Sequence, residues 1–148
     1  FLLTLYLLLN QNLFQTLSEA FTLQQHQAEL IKAHFETCKH PKIICGDLNN
    51  SAFSYVYRTI KGDLKDAFEE AGTGFGKSYN FKYYPARIDY IFVEKSMVVK
   101  QFKTIDTFFQ SDHFPQIADV HLLNKYIYFL LNVIYRFFLV LYRFICWF

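Results

Sequence analysis

The chain predicts an α/β fold from three observations. Short apolar runs of strand length recur along it, stretches with apolar residues at helical spacing lie between them, and acidic residues sit where the runs stop. The runs are Lys42-Ile43-Ile44-Cys45, Ile91-Phe92-Val93, Val98 to Ile105 and Gln116 to Leu123. Asp47 follows the first and Asp89 precedes the second, so both acids fall at strand ends, where α/β folds build their sites.

Taken in order, Phe1 to Leu9 is apolar and too short to span a bilayer by itself, so it is a buried strand or the remnant of a longer hydrophobic element. From Thr16 to about Thr37, Leu17, Ala20, Phe21, Ala28, Leu30, Ile31 and Phe35 recur at helical spacing, with Ser18 placed to cap the start. This helix is expected to cover one face of the sheet. His26 and His34 lie eight residues apart on it, not at the four-residue spacing of a zinc helix, and are expected at the surface or its boundary. Ser51 to Lys61 predicts a short helix whose Tyr55, Tyr57 and Ile60 fill the core, and Asp63 to Ala71 predicts another. Gly72 to Lys77 resembles a phosphate loop superficially but lacks its glycine and lysine spacing, which leaves a turn-rich connection with Lys77 on the rim. Along the last run, Ile117, Asp119 and His121 alternate with Ala118, Val120 and Leu122.

Charge is unevenly spread. Residues 1–15 carry none, residues 16–121 carry 12 basic against 13 acidic, and residues 122–148 carry three basic and no acidic. The near-neutral middle holds no basic footprint for duplex DNA. Cys38, Cys45 and Cys146 show no metal-binding spacing, and an odd count points to a fold independent of disulfides, with Cys45 a small buried apolar residue. The tail, Lys125 to Phe148, is about long enough to enter a membrane, although Arg136 falls near the middle of its apolar span. Three readings stay open for it: an interfacial or transmembrane helix, a cover for an exposed sheet, or a non-native extension.

Three short segments carry chemistry: Gly46-Asp47-Leu48-Asn49, then Arg87-Ile88-Asp89-Tyr90, then Ser111-Asp112-His113-Phe114-Pro115. Hydrolysis of a phosphate ester needs a water to be oriented or deprotonated, phosphoryl charge to be neutralised and a leaving oxygen to be stabilised. Carboxylates supply the first and hold a cation for the second. An imidazole beside a carboxylate can carry a fixed tautomer or a positive charge, and Pro115 favours the loop or bend on which Asp112 and His113 work together.

In this order and spacing the motifs GDLN, RIDYIF and SDHFP resemble the C-terminal half of the endonuclease/exonuclease/phosphatase superfamily, most closely its bacterial membrane-anchored branch. The resemblance runs from about Gln24 to Leu122. It implies half of a two-sheet DNase I-like α/β sandwich, with mostly antiparallel or mixed strands flanked by helices. It also implies a Mg²⁺- or Mn²⁺-dependent phosphodiesterase or nuclease acting on a nucleic acid, phospholipid or inositol phosphate, in a bacterial membrane-associated setting.

Carried over residue by residue, Asp47 matches the acid that orients or deprotonates water, and Asn49 the amide that contacts the phosphate. Asp89 matches the supporting acid, Asp112 the acid that partners the histidine and reaches a metal together with Asp47, and His113 the imidazole that stabilises phosphoryl charge. Arg87 and Asn50 are candidate substrate contacts, although a structural ion pair is an equal reading for Arg87. Leu48 replaces the family's usual aromatic. The family's metal-binding Glu, early Asn and additional strand-end His have no match before Gln24. The division expected is residues 1–15 as an apolar segment, 16–123 as a partial domain and 124–148 as the tail. The expectation is therefore a fragment whose isolated chain is inactive, with a truncated, non-catalytic or membrane-associated remnant as the alternative.

Overall fold

The computed structural model describes residues 2–107 and 110–123, with the backbone alone for residues 2–12. The elements in chain order are α1 (Leu2–Thr37), β1 (Ile43–Asp47), α2 (Tyr55–Lys61), β2 (Lys65–Asp66), α3 (Ala67–Ala71), β3 (Asp89–Val93), β4 (Met97–Thr104) and β5 (Gln116–Leu122). The strands form two antiparallel sheets, β1-β3-β2 and β4-β5.

Strand β3 organises the core because successive side chains of a strand point to opposite faces. Tyr90 and Phe92 enter one cluster with Ala28, Val56, Tyr57 and Ile60. Val93, with Ile91 packed beside it, enters a second with Ala67, Met97, Val99 and Phe102. A strand buried on both sides matches the apolar Ile91-Phe92-Val93 run. Strand β1 does not match in the same way: it is the sheet's edge, Ile43 and Cys45 are exposed, and only Ile44 packs inward. The expected burial of Cys45 is thus overturned, because an edge strand has one side without a neighbour.

Helix α1 is longer than its periodic segment predicts. It begins at Leu2, so of the two readings of the N-terminal apolar segment the buried strand is replaced by helix, and Ser18 is an interior residue whose carbonyl accepts from Thr22 Oγ1. Its apolar stripe is only partly used: Ala28 and Phe35 join the core, while Leu17, Phe21, Leu30 and Ile31 stay exposed. Helix α2 is capped by Ser54, whose hydroxyl accepts from Tyr57 N–H. It buries Tyr57 as expected, whereas Tyr55 turns outward and donates to Glu29. The segment expected as a second helix from Asp63 is split: Lys65 and Asp66 pair with β3 before α3 starts at Ala67, and Asp66 caps that helix by accepting from Phe68 N–H.

Between α3 and β3 the chain turns through Gly76, whose φ of 63° suits glycine and whose absent Cβ leaves room for the Phe68 ring and the Arg87 stem. In β5, Ala118 and Val120 pack on the second cluster while Ile117, Asp119 and His121 are exposed, as the alternation predicts, but Leu122 at the strand's end is exposed against it. Among the described residues no helix is long and apolar enough to cross a membrane, and the apolar tail lies outside them.

Candidate active site

The site begins with strand register. Asp47 ends β1, Asp89 begins β3, and the two are directly paired across the antiparallel ladder, which continues one step further through Leu48 N–H to the Ile88 carbonyl at 2.9 Å. Residues directly opposite in an antiparallel pair project from the same face, so both carboxylates emerge together at one end of the sheet. The turn that follows β1 is local chemistry: Asp47 Oδ1 accepts the N–H of Asn49 at 2.7 Å, and Asn49 takes a φ of 49°, a left-handed conformation that asparagine tolerates.

His113 arrives from the segment before β5. That segment runs against residues 78–80, with Asn80 N–H donating to the Asp112 carbonyl and Phe114 N–H to the Ser78 carbonyl. The imidazole packs against the Tyr79 ring at 5.0 Å. Its Nδ1 lies 2.9 Å from Asp89 Oδ2, and its Nε2 lies 4.0 Å from Asp47 Oδ2. The Asp89 bond, opposed by partial burial and aided by the charges of Asp89, Asp47 and Asp112, raises the His113 pKa above its ordinary value. Asp89 therefore fixes the ring with Nδ1 as donor and leaves Nε2 for other work. The groups border an open cleft of about 490 Å³, with Tyr90, Ser111 and Pro115 on its walls. Burial pushes the Tyr90 hydroxyl up to about 12, and its single proton is shared between the carbonyls of Asn50 and Arg87, each 2.8 Å away.

The structure thus brings Asp47, Asp89 and His113 together, with one ligand atom from each lying within 4.8 Å of the others. Asn49 is exposed beside them, and its side-chain amide makes no hydrogen bond among the described residues. Asp112 is exposed as well. It touches the site through its charge, and the histidine's carboxylate partner is Asp89, which corrects the expectation that Asp112 fills that role. Adjacent residues of an extended segment point to opposite faces, so Asp112 and His113 do not share a direction.

The two substrate-contact candidates are engaged elsewhere. Asn50 donates to Gln24 on α1 and to the Leu48 carbonyl, tying the turn to the helix. Arg87 binds Asp66 at 2.6 Å, with its guanidinium 4.7 Å from the centres of both the Phe68 and Tyr90 rings, so the ion-pair reading of Arg87 holds. Lys77 donates to Asn80 and lies over the Phe114 ring. Two residues of the site were missed in the sequence: Tyr79, which packs on the imidazole, and Ser78, whose hydroxyl accepts two backbone N–H groups at the head of β3. Neither belongs to a motif, and nothing in their local pattern separates them from the turn before them.

A divalent cation fits this donor set. Asp47 offers a carboxylate oxygen not used by the Asn49 turn, Asp89 and His113 each place a ligand atom within 4.8 Å of it, and a hard cation of Mg²⁺ type takes one or two carboxylates while keeping several waters; Asp112, which does not share a direction with His113, is outside this group.

The family model described as "Endonuclease/Exonuclease/phosphatase family" matches residues 18–113. Among solved structures, an endonuclease/exonuclease/phosphatase from Bacteroides vulgatus is 30% identical, with a TM-score of 0.56 over 67% of this chain and 44% of that one. A mannosyl-6-phosphatase from Bacteroides thetaiotaomicron is 24% identical, with a TM-score of 0.54 over 67% of this chain and 46% of that one. An endonuclease/exonuclease/phosphatase family protein from the same organism is 23% identical, with a TM-score of 0.56 over 71% and 45%. The chain spans less than half the length of each of these three. No curated protein matches it. These neighbours carry the DNase I-like fold, and the two antiparallel sheets with flanking helices fit an α/β fragment of it. With its motifs gathered at one sheet end and its matched segment covering most of the described fold, the chain belongs to the endonuclease/exonuclease/phosphatase family.

Proposed function

We propose that this chain carries the water-activating and phosphate-binding part of a divalent-metal-assisted phosphoester hydrolase. The observation that carries the reading is the Asp47–Asp89–His113 cluster, in which one carboxylate is spent on holding the imidazole and the other stays open beside it. Asp47 orients or deprotonates the attacking water. His113, whose protonated form is favoured by Asp89, donates from Nε2 to a non-bridging phosphate oxygen as charge develops, and Asn49 contacts the same phosphate. Asp47 would hold Mg²⁺ or Mn²⁺, with water at most of the ion's other positions, and the ion supplies charge neutralisation on the phosphoryl group when bound.

The substrate class proposed is a phosphoester. The test is hydrolysis of p-nitrophenyl phosphate and bis-p-nitrophenyl phosphate with Mg²⁺ or Mn²⁺ by the chain, by Asp47→Asn and by His113→Ala. Against the expectation of an inactive isolated chain, the reading expects measurable metal-dependent turnover that falls about 10²- to 10⁴-fold in either variant. Equal rates for the three proteins would support the non-catalytic remnant. Membrane association through residues 125–148 is a separate proposal, resting on their apolar composition, and flotation of the chain with anionic liposomes tests it.

A further inference from the structure

We propose that Ser78 is a positioning residue that locks Asp89 and His113 into a single unit. Its side chain and its main chain do different parts of that work. The Oγ accepts the N–H groups of Ile88 and Asp89, each at 3.0 Å, so one hydroxyl oxygen uses both lone pairs on the first residue of β3 and the residue before it. The Ser78 carbonyl accepts from Phe114 N–H at 2.8 Å, next to His113, and its own N–H donates to the Ala86 carbonyl at 2.9 Å. The residue is fully buried, with no exposed surface.

The geometry explains why a hydroxyl is needed there. The bond from His113 Nδ1 to Asp89 joins the start of β3 to the segment before β5, 24 positions apart in the chain. A shift of about 1 Å in either segment takes that bond outside hydrogen-bond range. Strand pairing with β1 fixes Asp89 from one side, and Ser78 supplies acceptors for the adjoining amides while carrying the strand that holds His113. Alanine at this position would leave both N–H groups without their acceptor, whereas threonine keeps the oxygen.

This inference rests on the proposed role of the Asp89–His113 pair, and its test separates the two. Ser78→Thr and Ser78→Val have nearly equal volume and differ in the hydroxyl, and Ser78→Ala removes it without adding bulk. The readouts in the full chain are the downfield Nδ1–H resonance of His113, amide exchange at Ile88 and Asp89, and metal-dependent kcat and KM. Ser78→Ala and Ser78→Val are expected to lose the downfield resonance and speed exchange at the two amides at least tenfold. Amide protection across the β1–β3 ladder should be kept, Ser78→Thr should restore the signature, and kcat should fall while KM changes little. Retention of the resonance in Ser78→Ala and Ser78→Val would overturn the proposal. Unfolding of Ser78→Ala would overturn it too, by making the hydroxyl a requirement of the fold. If the resonance follows the hydroxyl and no variant, nor the parent chain, hydrolyses either ester, the positioning role stands and the hydrolase reading falls.

Discussion

Two carboxylate–cation pairs start from neighbouring positions of one motif and end in opposite environments. Arg87 and Asp66 form the closed pair, their side chains 12% and 1% exposed, with the guanidinium between two aromatic rings. Asp89 and His113 form the open pair, 24% and 32% exposed at the border of the cleft. In the closed pair both carboxylate oxygens are satisfied: Asp66 Oδ1 caps α3 through Phe68 N–H, and Oδ2 takes both Arg87 and the Tyr57 hydroxyl. In the open pair only one imidazole nitrogen is committed. Within four residues, Arg87-Ile88-Asp89-Tyr90 therefore supplies a buried brace and a working group. Residue type did not distinguish them; their neighbours did.

The largest effect should come from breaking the closed pair. Arg87→Met leaves the Asp66 charge buried with its main partner gone, and loss of about 3–5 kcal/mol is expected in urea unfolding. A loss below about 1 kcal/mol would mean that the pair is not the brace described. Next is Tyr57→Phe, which removes the donor shared by Asp66 and Glu69 and should cost about 1–3 kcal/mol by the same measurement.

Breaking the open pair should do less to the fold and more to the chemistry. Asp89→Asn is expected to change stability by no more than about 1 kcal/mol. It should return the His113 pKa toward its ordinary value, read by NMR titration of the ring protons; an unchanged titration would remove Asp89 as the cause.

The smallest effect is a pH dependence. Because His113 titrates above its ordinary value of 6.5 in the fold, the folded state holds the proton more tightly than the unfolded state does. The pair's contribution to stability is complete below that value and is lost as pH rises through the folded-state pKa. Unfolding midpoints of the parent chain should fall over that window relative to Asp89→Asn, and parallel curves would contradict the assignment.

The sequence made some of this legible and hid the rest for physical reasons. Periodicity located β3, β4, β5 and the second half of α1 because each presents at least one side to a core. It misjudged the burial of β1, since an edge strand and a central strand have the same apolar letters, and it left residues 2–9 open without a helix among the readings, because a short, mostly apolar run suits strand and helix alike. At the site, motif order led to Asp47, Asp89 and His113. The choice of histidine partner failed because it followed sequence adjacency, and the partner is set by the meeting of two distant segments. Asn50 and Arg87 were judged by donor chemistry, whereas their acceptors, Gln24 and Asp66, lie 26 and 21 positions away in the chain.

The contrast between the two pairs is most directly tested with Mn²⁺, whose unpaired electrons broaden nearby resonances. Titration of the isotope-labelled chain at substoichiometric Mn²⁺ should broaden the amides of Asp47, Asn49 and Asp112 and the His113 ring first and most strongly, with Asp66 and Arg87 broadened later and less, and Asp47→Asn should weaken the effect at least tenfold. Broadening spread evenly over exposed carboxylates, or undiminished in Asp47→Asn, would contradict the account of an open, cation-binding site beside a closed structural one.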